Sequence, residues 1–211
     1  MPKTADWYFD FISPFAYLQF QQLPQLPPDL VIKYKPVLFA GLLDHWGQKG
    51  PAEIAAKRKF TYRFVQWKAR ELNIPLRFPA EHPFNPIPFL RAAVALGATR
   101  TSIGLIFDYL WKEGNDPSAG DVLVQLGKKL NVDDLDERAQ DPTIKEKLKQ
   151  NGQEALAQGV FGVPTFVADG ELFWGSDSFE MFCAYLQKPD LFQSAEMLRV
   201  SDLPVGQERR R

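Results

Sequence analysis

The chain has 211 residues, 45% of them hydrophobic, with 25 basic and 26 acidic side chains. That balance gives no electrostatic basis for nucleic-acid binding, and no apolar run approaches the roughly 18 residues of a membrane span. A single cysteine, Cys183, excludes an intramolecular disulfide or a C-x-x-C pair, so any thiol chemistry must use a thiol brought from outside.

The length fits one domain, or one domain with a large insertion. His45 and His82 are the only histidines, so no structural metal is expected. The opening M-P-K-T-A-D leads into an apolar run with no signal-peptide pattern, which predicts a cytoplasmic protein.

Trp7 to Ile12 is an aromatic and apolar run suited to a buried strand. Ser13-Pro14 ends it, and Phe15-Ala16-Tyr17-Leu18 begins a helix. Serine is a favoured N-cap and proline suits the first helical position, so Ser13 Oγ is expected at a helix N-terminus. Free N–H groups and the helix dipole stabilise negative charge there, and a thiolate is the anion that fits.

After a proline-rich turn, Leu30 to Leu38 alternates as a second strand, giving a parallel βαβ unit. Residues 52–72 predict a helix with Phe60, Phe64 and Trp67 on one face and a basic, solvated stripe on the other. Arg77 to Pro88 has four prolines in twelve residues and is neither helix nor central strand. Helices follow at about 88–97 and 101–113, the second with a core stripe of Ile103, Ile106, Phe107, Leu110 and Trp111.

Ser118 and Asp121 have the spacing of a capping box for a helix ending near Leu130. Asp141-Pro142 starts another, which runs to about Ala157. Thr165–Ala168 and Leu172–Trp174 flank Asp169-Gly170, a hairpin signal. A last helix from about Ser178 to Leu186 turns Cys183 inward as a core residue. The tail from Lys188 is expected to fray at its end, Glu208-Arg209-Arg210-Arg211.

The order βαβ, helical block, ββα is that of an α/β thioredoxin-like domain carrying a large all-helical insertion. The thioredoxin-like part is residues 1–41 with 158–211, and the insertion is 42–157. F-D-F-I-S-P-F-A-Y, P-V-L-F-A-G-L-L, G-V-F-G-V-P-T-F and W-G-S-D stand in the right order. On these motifs the chain resembles the DsbA-like branch that contains 2-hydroxychromene-2-carboxylate isomerases and kappa-class glutathione transferases. Ser13-Pro14-Phe15-Ala16 stands where redox-active members carry C-x-x-C, which removes disulfide exchange.

The resemblance implies glutathione as cofactor. Ser13 would donate its hydroxyl to the sulfur, with Pro14 and Phe15 beside it. Val163, before a cis-Pro164, would pair its backbone with the cysteinyl segment. Ser176 and Asp177 would hold the γ-glutamyl end, and Gln48 would add an amide contact. The partner would be a small electrophile, an aromatic carboxylate, with His45, Lys57, Asn85 and Arg91 as candidate contacts and His45 as a possible acid or base. Two alternatives stay open: a kappa-like transferase acting on another electrophile, and a non-catalytic module that binds peptides at Val163. Family members are commonly dimers, and the aromatic-rich insertion offers a surface for a homodimer.

Overall fold

The structure is a computed structural model that describes residues 3–207. Residues 208–211, where the sequence predicts a frayed end, lie outside the described residues.

β1 (Thr4–Phe9) pairs parallel with β2 (Val31–Pro36), Thr4 opposite Val31 and Phe9 opposite Pro36. Helix α1 (Pro14–Gln22) makes the crossover. β3 (Thr165–Ala168) lies antiparallel to β1, with Tyr8 opposite Thr165. β4 (Glu171–Trp174) completes the hairpin, with Thr165 opposite Trp174. The sheet order is β2-β1-β3-β4. The hairpin turn is Asp169-Gly170, both at positive φ, which matches the right-handed twist of the flanking strands.

Between β2 and β3 every regular element is helical. These are α2 (Phe39–Trp46), α3 (Ala55–Glu71), α4 (Ile87–Ala95), α5 (Arg100–Phe107), α6 (Val122–Leu130), α7 (Leu135–Gln140) and α8 (Pro142–Ala157). α9 (Phe179–Gln187) and α10 (Ala195–Ser201) follow the sheet. Among the described residues, no helix is long and apolar enough to cross a membrane.

Side chains of β1 alternate between two apolar clusters, as the strand period requires. Trp7 and Phe9 pack with α1, α4, α5 and α9, while Tyr8 packs with Val37, Leu42, Ala155 and Val160 on the other face. Phe107 joins sheet to insertion: the rings of Phe11, Phe20, Phe9, Tyr17 and Trp7 surround it at 4.7, 5.4, 5.7, 6.1 and 6.4 Å. On the opposite face, the Asn151 amide donates to Pro36 O at 3.0 Å and Lys35 pairs with Glu154, tying α8 to β2.

Two sequence expectations are corrected. The stripe Phe60, Phe64 and Trp67 faces solvent, with Phe60 68% exposed, and α3 buries Val65 and Ala69 instead. Only a narrow strip of α3 meets the body, and the aromatics cover one another along the surface, Phe60–Phe64 at 5.9 Å and Phe64–Trp67 at 5.6 Å. The Ser118–Asp121 capping box does not form. Ser118 Oγ donates to Glu81, and Asp121 caps nothing with its side chain. Beyond Lys188, a stretch for which the sequence predicts no element, α10 is capped by Ser194 Oγ accepting from Met197 N–H.

Candidate functional site

The strand β1 ends in a turn whose first residue is a buried carboxylate. Asp10 is fully enclosed; its Oδ1 accepts from Ile12 N–H at 3.1 Å and its Oδ2 from Phe39 N–H at 2.8 Å. Burial pushes its pKa up from 3.8 to about 7, against the opposing effect of those donors. Asp10 therefore ties the turn to the start of α2, a role the sequence did not disclose.

Ser13 follows as the N-cap of α1, with extended backbone, and Pro14 takes the first turn of the helix. The Ala16 N–H donates to Ser13 Oγ at 3.2 Å. One oxygen lone pair is thus occupied, and the hydroxyl hydrogen is the part left to donate. Phe15 is half-buried and faces Phe64 at 6.2 Å.

The same sheet end carries the loop before β3. Val163-Pro164 is cis, Gly175 N–H donates to Pro164 O at 2.8 Å, and Thr165 Oγ1 donates to Gly162 O at 2.8 Å. Among the described residues, neither the N–H nor the C=O of Val163 has a hydrogen-bond partner. Gly162 has no room for a side chain, since a Cβ there would lie 2.4 Å from Trp174 Nε1.

After β4, Gly175 at φ +86° starts the short 3-10 turn Ser176–Ser178, which leads into α9. Gln19 ties this turn to α1. Its Nε2 donates to Gly175 O at 3.0 Å, while its Oε1 accepts from the buried Trp7 Nε1 at 2.6 Å. Ser176 is half-buried and Asp177 exposed.

Ser13, Val163, Pro164, Ser176 and Asp177 thus gather at one end of the sheet. Trp46 brings the end of α2 to the same loop by donating from Nε1 to Val160 O at 3.0 Å. Gln48, two residues on, is exposed beside it, as is His45, whose ring meets Trp46 edge-on at 5.2 Å.

The other candidates lie elsewhere. Lys57 is exposed on α3. Asn85 accepts from Ile87 N–H at 3.1 Å and lines a cavity of about 460 Å³ between the proline-rich loop and α6. None of the residues gathered at the sheet end lines that cavity. Arg91 sits half-buried on α4, its Nε without a partner among the described residues. Cys183 packs against the core of α9, where burial pushes its thiol pKa up.

A second cavity, about 590 Å³, opens between α3 and the proline-rich loop and is bordered by Tyr62, Arg63, Gln66, Phe78 and His82. His82 reaches from it to the Ser13 turn, with Nε2 at 2.7 Å from Ile12 O. No local signal in the sequence discloses this contact, and the His82-Pro83 bond beside it is cis.

The DSBA-like thioredoxin domain matches residues 4–187. The 2-hydroxychromene-2-carboxylate isomerase of Sphingobium xenophagum is 31% identical over 194 residues, covering 88% of this chain and 99% of that protein. Human glutathione S-transferase kappa 1 is 22% identical over 209 residues, covering 88% and 92%. Among solved structures, a 2-hydroxychromene-2-carboxylate isomerase superposes with a TM-score of 0.77 at 25% identity, covering 92% of this chain and 98% of that one. The expected fold and kinship are therefore both met. The chain belongs to the DSBA-like thioredoxin-domain family, in the branch shared by 2-hydroxychromene-2-carboxylate isomerases and kappa-class glutathione transferases.

Proposed function

We propose that this protein is a glutathione-dependent isomerase of an aromatic carboxylate, of the 2-hydroxychromene-2-carboxylate type. The observation that carries the reading is Ser13: a buried hydroxyl at a helix N-terminus, one of its lone pairs taken by Ala16 N–H, in a chain whose own thiol lies in α9. Glutathione, when bound, would supply the thiolate nucleophile for a reversible addition that consumes no glutathione. Ser13 donates its hydroxyl hydrogen to the sulfur and, with the N-terminus of α1, favours the charged form.

The unpaired N–H and C=O of Val163 suit an added strand from the cysteinyl segment. The backbone N–H groups of Ser176 and Asp177 suit the γ-glutamyl carboxylate, and the Asp177 carboxylate suits its ammonium. Gln48 flanks the same loop through its neighbour Trp46. The cavity bordered by Tyr62, Phe78 and His82 offers aromatic walls for the electrophile next to the Ser13 turn, with Arg63 as a cation for its carboxylate. His45, Lys57, Asn85 and Arg91 are contacts of lower rank in this reading. A single free thiol suits a cytoplasmic setting. The exposed rings of Phe60, Phe64 and Trp67 support a homodimer, which sedimentation equilibrium tests.

The experiment titrates glutathione into wild type and Ser13→Ala while thiolate absorbance is followed against pH. The reading expects binding with a thiol pKa below the ordinary value of about 8.5, lost in Ser13→Ala. No binding by wild type sinks it. Stoichiometric consumption of glutathione during turnover favours the transferase instead, a reading supported by the kappa-class relatives.

A further inference from the structure

Two aromatic N–H donors from the insertion grip the turn that presents Ser13. Trp111 Nε1 donates to Phe11 O at 2.7 Å, and His82 Nε2 lies 2.7 Å from Ile12 O. A carbonyl only accepts, so His82 carries its proton on Nε2, and Nδ1 is left to accept from the Tyr62 hydroxyl, 2.6 Å away. The same hydroxyl also donates to His82 O at 2.7 Å, so its single hydrogen is shared between the two acceptors. Rings of Tyr62, Trp111, Phe84 and Phe78 enclose the imidazole at 5.2, 5.5, 6.0 and 6.3 Å. Burial holds its pKa below the ordinary histidine value, which keeps this neutral tautomer in place.

The carbonyl that His82 holds belongs to the peptide joining Ile12 to Ser13. The N–H of that peptide donates to Asp10 O at 3.1 Å. Both polar atoms of the Ile12–Ser13 peptide are therefore tied, one to the sheet side and one to the insertion. The orientation of this peptide sets the Ser13 backbone and, through it, the direction in which Oγ can present its hydrogen.

We propose that His82 is a positioning residue for Ser13, its Nε2–H, fixed by Tyr62, orienting the Ile12–Ser13 peptide toward the incoming sulfur. The inference rests on the glutathione reading above. It gives the half-buried imidazole a use in the reaction without contact to the reacting atoms. It also makes one ring border both the turn and the open cavity of about 590 Å³.

The test compares wild type with His82→Leu, which keeps bulk and loses the donor, and with His82→Gln, which places an N–H near the former Nε2. Thiolate absorbance of bound glutathione is followed against pH. His82→Leu is expected to raise the bound thiol pKa by about one unit, cutting the thiolate fraction by roughly tenfold at a pH well below that pKa, with most of it recovered in His82→Gln. A wild-type thiol pKa in folded His82→Leu overturns the proposal. So does a His82→Gln protein as impaired as His82→Leu, because packing rather than donation would then be the cause. Where His82→Leu does not fold, Tyr62→Phe replaces it: a raised thiol pKa supports the proposal and an unchanged one overturns it. Failure of wild type to bind glutathione at all is a separate result, and it overturns the proposed function together with this inference.

Discussion

Asp10 Oδ2 and the backbone nitrogen of Phe39 lie 2.8 Å apart, linking a carboxylate buried at the end of β1 to the first residue of α2. Because burial raises this carboxyl to about 7, the folded protein takes up a proton that the unfolded chain, at 3.8, gives away. A raised carboxylate pKa means that stability falls as pH rises from about 4 to about 7 and is level above that. His82 works in the opposite sense: its lowered pKa costs stability as pH falls below about 6.5. Urea melts of wild type and Asp10→Asn separate the two effects. The stability difference between them is expected to shift against wild type from about pH 4 to about pH 7 and to stay constant above it. The asparagine variant also turns an amide N–H₂ toward one of two N–H donors, at a cost of about 1–3 kcal/mol. A pH-independent difference would show that Asp10 stays ionised throughout.

Gln19 satisfies two groups at once, the buried Trp7 indole and the half-buried Gly175 carbonyl. Gln19→Met keeps much of the bulk and removes both partners. The expected loss is about 2–4 kcal/mol, read from chemical denaturation. On the proposed function, binding of glutathione weakens as well, since the Ser176–Ser178 turn loses its tie to α1.

Gly162→Ala places a methyl group where Trp174 Nε1 now lies 2.4 Å away. The indole must leave, taking with it its edge contact to Phe161 at 5.0 Å. A shift in tryptophan emission and weaker glutathione binding are expected together. Unchanged emission would mean that the loop itself gives way.

The corrected face of α3 is tested by two substitutions. Phe60, 68% exposed, should tolerate Phe60→Ser within about 0.5 kcal/mol. Val65, fully buried, should lose about 2 kcal/mol as Val65→Ala. Thermal melts that rank them in the reverse order would restore the aromatic stripe as the packed face.

What the sequence discloses is what short-range chemistry controls. The Ser13-Pro14 start of α1, the Asp169-Gly170 hairpin and the stripe from Ile103 to Trp111 all depend on neighbours within one element. The site residues that escaped it depend on distant ones. Asp10 meets Phe39 29 positions away, His82 meets Ile12 at 70 and Trp111 meets Phe11 at 100. A carboxylate in F-D-F looks like an ordinary polar position until a backbone donor from another element encloses it. Periodicity misled on α3 because aromatic rings can shelter one another on a surface, so the burying face was the one with Val65 and Ala69.

Phe107 stands in α5, yet most of its aromatic neighbours belong to β1, α1 and the turn between them. The helical block is therefore no detachable cassette. Exchanging it wholesale between relatives, to import a new specificity, would remove the packing beneath the very turn that holds Ser13. New specificities in this branch are better sought by changing single residues at the rim of the cavity, where Arg63 and Gln66 border open space, than by trading the block as a unit.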